Sequence, residues 1–166
     1  MQHDNPLLDL DGLPKFGEIL PEHIEPAVDD ILARNRELVR ELLSSEDSPG
    51  WDNFVAFLEG IEDELERVWA PVSHLNGVCD SDALRAVYEK CLPKLSDYSA
   101  EMGQNRGIYE AISQIRDSGE FDQLEQAQRK VIENALRDFH LSGVDLDPEA
   151  QARYREITSE LSRLGN

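Results

Sequence analysis

Three polar residues, Ser73, His74 and Asn76, follow a proline within the apolar run 68-VWAPVSHLNGV-78. A histidine can bind a metal, transfer a proton or contact a polar ligand, and the serine and asparagine could add hydrogen bonds. The alternative is structural, because an imidazole could bond carbonyl groups that Pro71 leaves without a donor, or lie at a helix C-terminus, where cations are favoured. The residue pattern favours the structural role. Contact with a ligand or a neighbouring domain through these three side chains is the competing hypothesis.

The other histidines and the cysteines form no catalytic or metal-binding pattern. No two of the four histidines are spaced i,i+4, as an HExxH zinc motif requires. His23, within PEHIEP, is predicted to be structural. Cys79 and Cys91 are predicted to be buried or idle thiols, because they form no CxxC pair and no histidine adjoins them. The sequence also lacks GxSxG, GxxxxGK[ST] and GxGxxG. We therefore expect no catalytic residue, cofactor-binding residue or metal ligand in this chain.

Acidic residues dominate the charge, with 35 Asp and Glu against 16 Lys and Arg and a formal net charge of -19. Such a field repels phosphate, so nucleic acids and anionic membranes are disfavoured as partners. The densest acidic run, 59-EGIEDELE-66, lacks the oxygen spacing and central glycine of a calcium loop. Because Ile61 and Leu65 are four residues apart, the run indicates the solvated side of a helix. Attraction of cationic peptides is the alternative.

Length and composition indicate one globular domain. The chain has 166 residues, of which 40% are hydrophobic, enough for a continuous core. No apolar run approaches the roughly 18 residues of a spanning helix, and the start MQHDNPLLDLDG lacks the pattern of a secretory signal. Two cysteines without a CxxC pair are typical of a reduced intracellular protein. We therefore expect a cytoplasmic protein with no membrane partner.

The first twenty residues are predicted to form an extended arm. Prolines and glycines occur there at a density that disfavours a helix, while the leucines between them disfavour a free tail. An arm over 1–20, packed on a helical domain over 21–166, satisfies both observations.

From Pro21 onward, apolar residues recur at steps of three and four and predict about six helices. The apolar stripes cover 24–42, 54–72, 84–102, 108–115, 121–139 and 154–164. Ser81 is the expected N-cap of the third helix, and Asp147-Pro148 the expected start of the last. Pro71 should kink the second helix, and Pro93 should bend or break the third. No strand-like alternation is sustained, so the predicted fold class is all-α and bundle-like.

Seven segments, taken in order, carry a resemblance that covers nearly the whole chain. They are 5-NPLL-8, 21-PEHIEPA-27, 69-WAPVSHLNGV-78, 84-LRAVYEKCLPKLSDY-98, 105-NRGIYEA-111, 135-ALRDFHLSGVDL-146 and 153-RYREITSELSRLGN-166. Together they resemble the N-terminal portion of the thimet-oligopeptidase-like zinc metallopeptidases. None of the seven is a catalytic signature.

The resemblance implies a mostly helical enzyme in which two lobes enclose a deep channel for short, unfolded peptides. Its zinc lies on an HExxH helix in the C-terminal part, where the motif's glutamate activates a zinc-bound water to attack the peptide carbonyl. The N-terminal helices form one wall of the channel. By this resemblance, zinc and the catalytic residues are expected in a catalytic domain beyond Leu164-Gly165-Asn166, which would be a partner within the same polypeptide.

The absence of that catalytic domain predicts exposed apolar surface at both ends of the chain. The residues concerned are Leu161 and Leu164 of the last helix and Leu7, Leu8 and Leu10 of the arm. Self-association of the fragment could follow, because large apolar patches usually mark interfaces. The alternative is a free-standing acidic helical module that binds a protein partner. An autonomous hydrolase is disfavoured by the lack of any nucleophile or metal constellation.

Overall fold

A computed structural model describes residues 5–79 and 81–164, except for the side chain at position 163. Its six α-helices are α1 (Pro21–Ser44), α2 (Ala56–Val78), α3 (Asp82–Gly103), α4 (Arg106–Arg116), α5 (Gln126–Leu141) and α6 (Pro148–Leu164). A π-helical turn, Trp51–Val55, precedes α2, and a 3-10 turn, Phe121–Gln123, precedes α5. The described residues contain no strand. The predicted all-α class with about six helices is confirmed.

Short polar side chains begin three of the helices. The hydroxyl of Ser81 accepts a hydrogen bond from the Leu84 amide at 3.2 Å, which confirms it as the N-cap of α3. The carboxylate of Asp147 accepts from the Ala150 amide at 2.9 Å and caps α6 in the same way. Asn105 caps α4. These caps satisfy amide groups that have no partner within the helix.

Pro71 and Pro93 do not end their helices. Pro71 lies within α2 and Pro93 within α3, and both helices continue without interruption. Of the bend or break predicted at Pro93, the break is therefore wrong, whereas the bend there and the kink at Pro71 stay predictions. Cys91 before Pro93 and Tyr98 after it are buried in the same core, and this packing on both sides holds the helix together despite the lost hydrogen bond.

The fifth helix begins later than its apolar stripe predicts. Phe121 lies in the 3-10 turn and Leu124 is extended, with φ -67° and ψ 152°, so neither belongs to α5. The Glu125 amide donates to the Gln128 side chain at 2.8 Å, which fixes the start of the helix one residue later. Both apolar side chains still pack on the core, because apolar spacing reports burial rather than helix boundaries.

Two hydrophobic cores share α1 and α2. The first core joins the arm, α1, α2 and α3 around Ile24, Val28 and Val68. The second joins α1, α2, α4 and α5 around Ile115 and Ile132. Each fully buried aliphatic side chain of this kind contributes about 1.5–3 kcal/mol relative to exposure.

Residues 5–20 form turns and bends that lie against α1 and α2. Leu7 is only 3% exposed and belongs to the first core, and Leu8 and Leu10 are partly buried against it. The expected exposure of the arm leucines is therefore wrong, because they pack into this domain. Residues 1–4 lie outside the described residues, and the division into an arm at 1–20 and a domain at 21–166 stays a prediction.

The last helix packs on α3 and leaves an apolar face in solvent. Leu161 is 62% exposed and Leu164 is 70% exposed, which confirms the expected apolar surface at this end. Ile157 lies one turn earlier and is also exposed. No helix in the described part of the chain is long and apolar enough to cross a membrane.

Candidate functional site

The segment containing Ser73, His74 and Asn76 lies in the last turns of α2. The imidazole of His74 is exposed and packs edge-on against the ring of Phe16 in the arm, with 5.5 Å between centroids. Within residues 5–79 and 81–164, the His74 side chain forms no hydrogen bond, so it does not bond carbonyls freed by Pro71 there. Contact of these three residues with a peptide or a neighbouring domain stays a prediction.

A small cavity of about 250 Å3 separates the arm from α2. Phe16 and Leu7 line it from the arm, and Arg67 and Pro71 line it from α2. The guanidinium of Arg67 donates to the Leu10 carbonyl and so fastens the arm across the cavity. Phe16 therefore both lines this cavity and packs against the imidazole of His74.

Two other histidines have evident structural contacts. The Nδ1 atom of His23 accepts from the Leu20 amide at 3.1 Å at the start of α1, which confirms its predicted structural role. His140 lies between the Asp145 carboxylate on Nδ1 and the Tyr109 hydroxyl, 3.4 Å from Nε2. Among the residues that the structure describes, no three His, Cys, Asp or Glu side chains are grouped to hold a metal ion.

The two cysteines are free thiols, as predicted, and they lie in different environments. Cys79 is exposed at the end of α2, whereas Cys91 is fully buried in the first core. Burial raises the pKa of the Cys91 thiol to about 11. Cys91 therefore stays protonated at neutral pH and serves as a small apolar core residue.

Sequence reasoning missed a large concave surface of the domain, an open groove of about 1000 Å3. The groove lies where the two cores meet, between α2, α3 and α5, with α4 contributing to its floor. Its apolar lining is formed chiefly by Leu58, Leu65 and Trp69 of α2, Leu92, Leu95 and Met102 of α3, and Val131, Ala135 and Phe139 of α5. These side chains are only partly buried, so the groove exposes the edges of both cores.

The rim of the groove is acidic. Glu59, Glu62, Asp63 and Glu66 line it from α2, and Asp138 lines it from α5. Among the described residues that line it, none is a lysine, arginine or histidine. The groove therefore combines an apolar floor with negative charge along its edge.

The carboxyl group of Glu62 experiences this environment most strongly. Its pKa is raised, first because the groove wall partly excludes water and second because Glu59 carries a like charge. Glu62 still has much of its surface in contact with solvent, so solvent screening keeps the cost of its raised pKa to the stability of the fold small. None of the four carboxylates on α2 forms an ion pair or a hydrogen bond with another described residue.

The acidic run 59–66 lies on the solvated side of α2, as the sequence pattern predicted, but its carboxylates point in more than one direction. Ile61 is buried, and the Glu64 carboxylate pairs with Arg34 of α1. Glu59, Glu62 and Glu66 recur at steps of three and four on the groove side instead. The spacing of these three glutamates was visible in the sequence and could have indicated a second acidic face of α2. The sequence did not show that α5 lies opposite this face.

Comparisons with known proteins support the family resemblance. The family model for the N-terminal domain of neurolysin/thimet oligopeptidase matches residues 28–151. Oligopeptidase A from Haemophilus influenzae is 46% identical over 166 residues, covering 100% of this chain and 24% of that protein. Oligopeptidase A from Escherichia coli is 46% identical over 162 residues, covering 98% and 24%. A probable cytosolic oligopeptidase A from Arabidopsis thaliana is 31% identical over 162 residues, covering 98% and 23%.

The chain spans about a quarter of the length of these relatives. The family match covers α1 from Val28 onward, all of α2 to α5 and the start of α6, which includes every apolar residue that lines the groove. The chain therefore belongs to the neurolysin/thimet oligopeptidase family and carries its N-terminal domain.

Proposed function

We propose that this chain is the non-catalytic N-terminal domain of a zinc-dependent oligopeptidase and forms one wall of its substrate channel. The observation that carries the proposal is the similarity to oligopeptidase A along the whole chain. The open groove between α2, α3 and α5 is consistent with a role in guiding extended peptides. The hydrolysis of short peptides and the channel itself are parts of the proposal.

Zinc enters the proposal through residues outside this chain. The described residues offer no cluster of His, Cys, Asp or Glu that fits a metal ion, so we assign no zinc ligand and no catalytic residue here. When bound in a catalytic domain, zinc would supply a Lewis acid and an activated water. The domain described here would contribute shape and charge to the path that leads a peptide there.

The test compares the 166-residue chain with the product of the complete natural reading frame. The longer protein is expected to bind one zinc per chain and to cleave short peptides in a chelator-sensitive way. The 166-residue chain is expected to hold no stoichiometric zinc and to cleave none. A reading frame that stops directly after Asn166 would contradict the proposal and favour an acidic interaction module, as would a longer protein without peptidase activity.

The remainder of the polypeptide is the proposed partner of the outer face of α6. Leu161 and Leu164 are exposed there, and burying the exposed parts of both side chains is worth about 2–4 kcal/mol. Without that partner, the 166-residue chain is expected to self-associate at high concentration, as light scattering would show. Leu161→Glu with Leu164→Glu should keep it monomeric, whereas the matched change Leu13→Glu, at a leucine of the arm that is 88% exposed, should not. Equal behaviour of the two variants would contradict the assignment of this face.

A cytoplasmic location is also part of the proposal. The plant relative named above is a probable cytosolic oligopeptidase A, although another is named an organellar oligopeptidase A, chloroplastic/mitochondrial. Fractionation of the source cells would test this, and recovery of the protein in a membrane or secreted fraction would contradict it.

A further inference from the structure

The acidic edge of the groove follows one face of α2. Glu59, Glu62 and Glu66 are spaced so that their carboxylates lie along successive turns of that face. They stand beside the exposed parts of Leu65 and Trp69, which belong to the apolar floor. Charged and apolar recognition are therefore available side by side along the groove.

The groove has the length of a short extended peptide. The wall formed by α2 and the turn before it runs from Val55 to Trp69, which is roughly 20 Å at the rise of an α-helix. An extended chain covers that distance with about six residues. Alternate side chains of such a segment point to opposite sides, so one set can reach the acidic edge while the other lies on the floor.

Charge decides between the possible occupants. A second copy of this chain carries a net charge of -19, which would oppose its entry into an acidic groove. Acidic peptides and nucleic acids are disfavoured for the same reason. A basic segment would gain from ion pairs that form beside an apolar surface, where water screens charges less strongly than in bulk solution.

We propose that the groove binds unfolded peptide segments in which basic side chains alternate with apolar ones. The lysine or arginine side chains would pair with Glu59, Glu62 and Glu66, and the apolar side chains would cover Trp69 and Met102. Binding is a property of this chain alone. The further statement that such segments are favoured substrates rests on the proposed function.

The electrostatic environment of Glu62 in the free groove favours the binding of a cation. The pKa of Glu62 is raised by partial burial and by Glu59, so ionisation of that carboxyl is disfavoured in the free protein. A bound ammonium or guanidinium group would relieve this effect. Peptide binding should therefore weaken as salt screens the pairs.

The test measures binding of a fluorescent peptide of about eight residues that alternates leucine with lysine. The triple variant Glu59→Gln, Glu62→Gln, Glu66→Gln should bind it about tenfold more weakly, since each lost pair contributes roughly a factor of two to three. The matched control Glu41→Gln, Glu46→Gln, Asp47→Asn removes the same charge at the end of α1 and in the loop after it, away from the groove. It should bind as the unchanged chain does.

Two further peptides separate the contributions of charge and apolar contact. Replacing every lysine by glutamine should abolish salt-sensitive binding, and replacing every leucine by serine should weaken binding at any salt concentration. Equal weakening by the groove variant and the control would overturn the proposal, because it would show attraction by net charge alone. Unchanged binding by the groove variant, or no binding by the unchanged chain, would overturn it too.

A second arm tests the substrate assignment in the longer protein. The three groove substitutions should raise KM for basic peptides and leave kcat, and KM for neutral peptides, nearly unchanged. If the groove variant loses peptide binding in the 166-residue chain but shows no change in KM, the substrate assignment is overturned and the binding site stands. If the longer protein has no peptidase activity at all, the proposed function fails while the binding result stands.

Discussion

The carboxylates in two acidic regions of this domain have pKa values shifted in opposite directions. On the face shared by α1 and α3, Glu25 contacts Lys90 at 2.6 Å and Lys94 at 2.8 Å, and Asp29 contacts Lys94 at 2.5 Å. These hydrogen bonds from the lysines lower the pKa of Glu25. Along the groove, partial burial and a like-charged neighbour raise the pKa of Glu62.

The excess of negative charge in this domain therefore serves at least two purposes. The carboxylates between α1 and α3 are neutralised within the domain and join two helices. Those on the groove side of α2 lack such partners in the described structure, although Glu64 in the same run pairs with Arg34. Because pairing is available nearby, the groove carboxylates stand out as a surface suited to an external cation.

The largest effect is expected from the apolar core rather than from either acidic region. Ile31 of α1 is fully buried in the first core, and Ile31→Ala should lower the free energy of unfolding by about 2–5 kcal/mol. Urea denaturation would measure this. A smaller loss than that caused by removing Lys94 would mean that ion pairs, rather than apolar packing, hold α1 on α3.

A smaller effect is expected from breaking the pairs between α1 and α3. Lys94→Met keeps most of the side-chain volume and removes two ion pairs, which should lower the free energy of unfolding less than Ile31→Ala does because both pairs are accessible to solvent. Because the pKa of Glu25 is lowered in the folded state, its ionisation stabilises the fold at pH values above its pKa in the unfolded chain. This stabilisation is lost as the pH falls through the pKa of Glu25 in the folded state. Acidification should therefore reduce the difference in the free energy of unfolding between Lys94→Met and the unchanged chain. A constant difference across the acidic range would contradict the pairing.

The smallest effect, with the opposite sign, is expected in the groove. Glu62→Gln should raise stability at neutral pH by up to about 0.5 kcal/mol, since it removes a carboxylate whose ionisation is disfavoured. Because the pKa of Glu62 is raised in the folded state, this group contributes stability at pH values below its pKa in the unfolded chain. That contribution is lost as the pH rises through the pKa of Glu62 in the folded state. The gain should therefore vanish in acid. The matched change Glu64→Gln, on the same helix, removes the pair with Arg34 and should give no gain. An equal change in the free energy of unfolding for Glu62→Gln and Glu64→Gln would contradict the view that the groove side of α2 is unpaired while the side facing α1 is paired.

The sequence predicted the helices better than it predicted the surfaces they create. Apolar periodicity indicated all six helices, and local chemistry identified Ser81 and Asp147 as caps. The burial of Leu7 and the contact between Phe16 and His74 depend on how the arm crosses α2, which no local pattern encodes. The groove depends on α5 lying opposite α2, and that arrangement arises from packing between residues far apart in the chain.

The groove carboxylates of α2 are available to a cationic partner, whereas the carboxylates between α1 and α3 are already paired with lysines. The most direct test is an NMR titration of the side-chain carboxyl groups of Glu25 and Glu62, with and without the leucine–lysine peptide. We expect Glu62 to titrate at a higher pH than Glu25 in the free chain, and the peptide to lower the pKa of Glu62 alone. Equal pKa values in the free chain, or a Glu62 carboxyl that does not respond to the peptide, would contradict the claim.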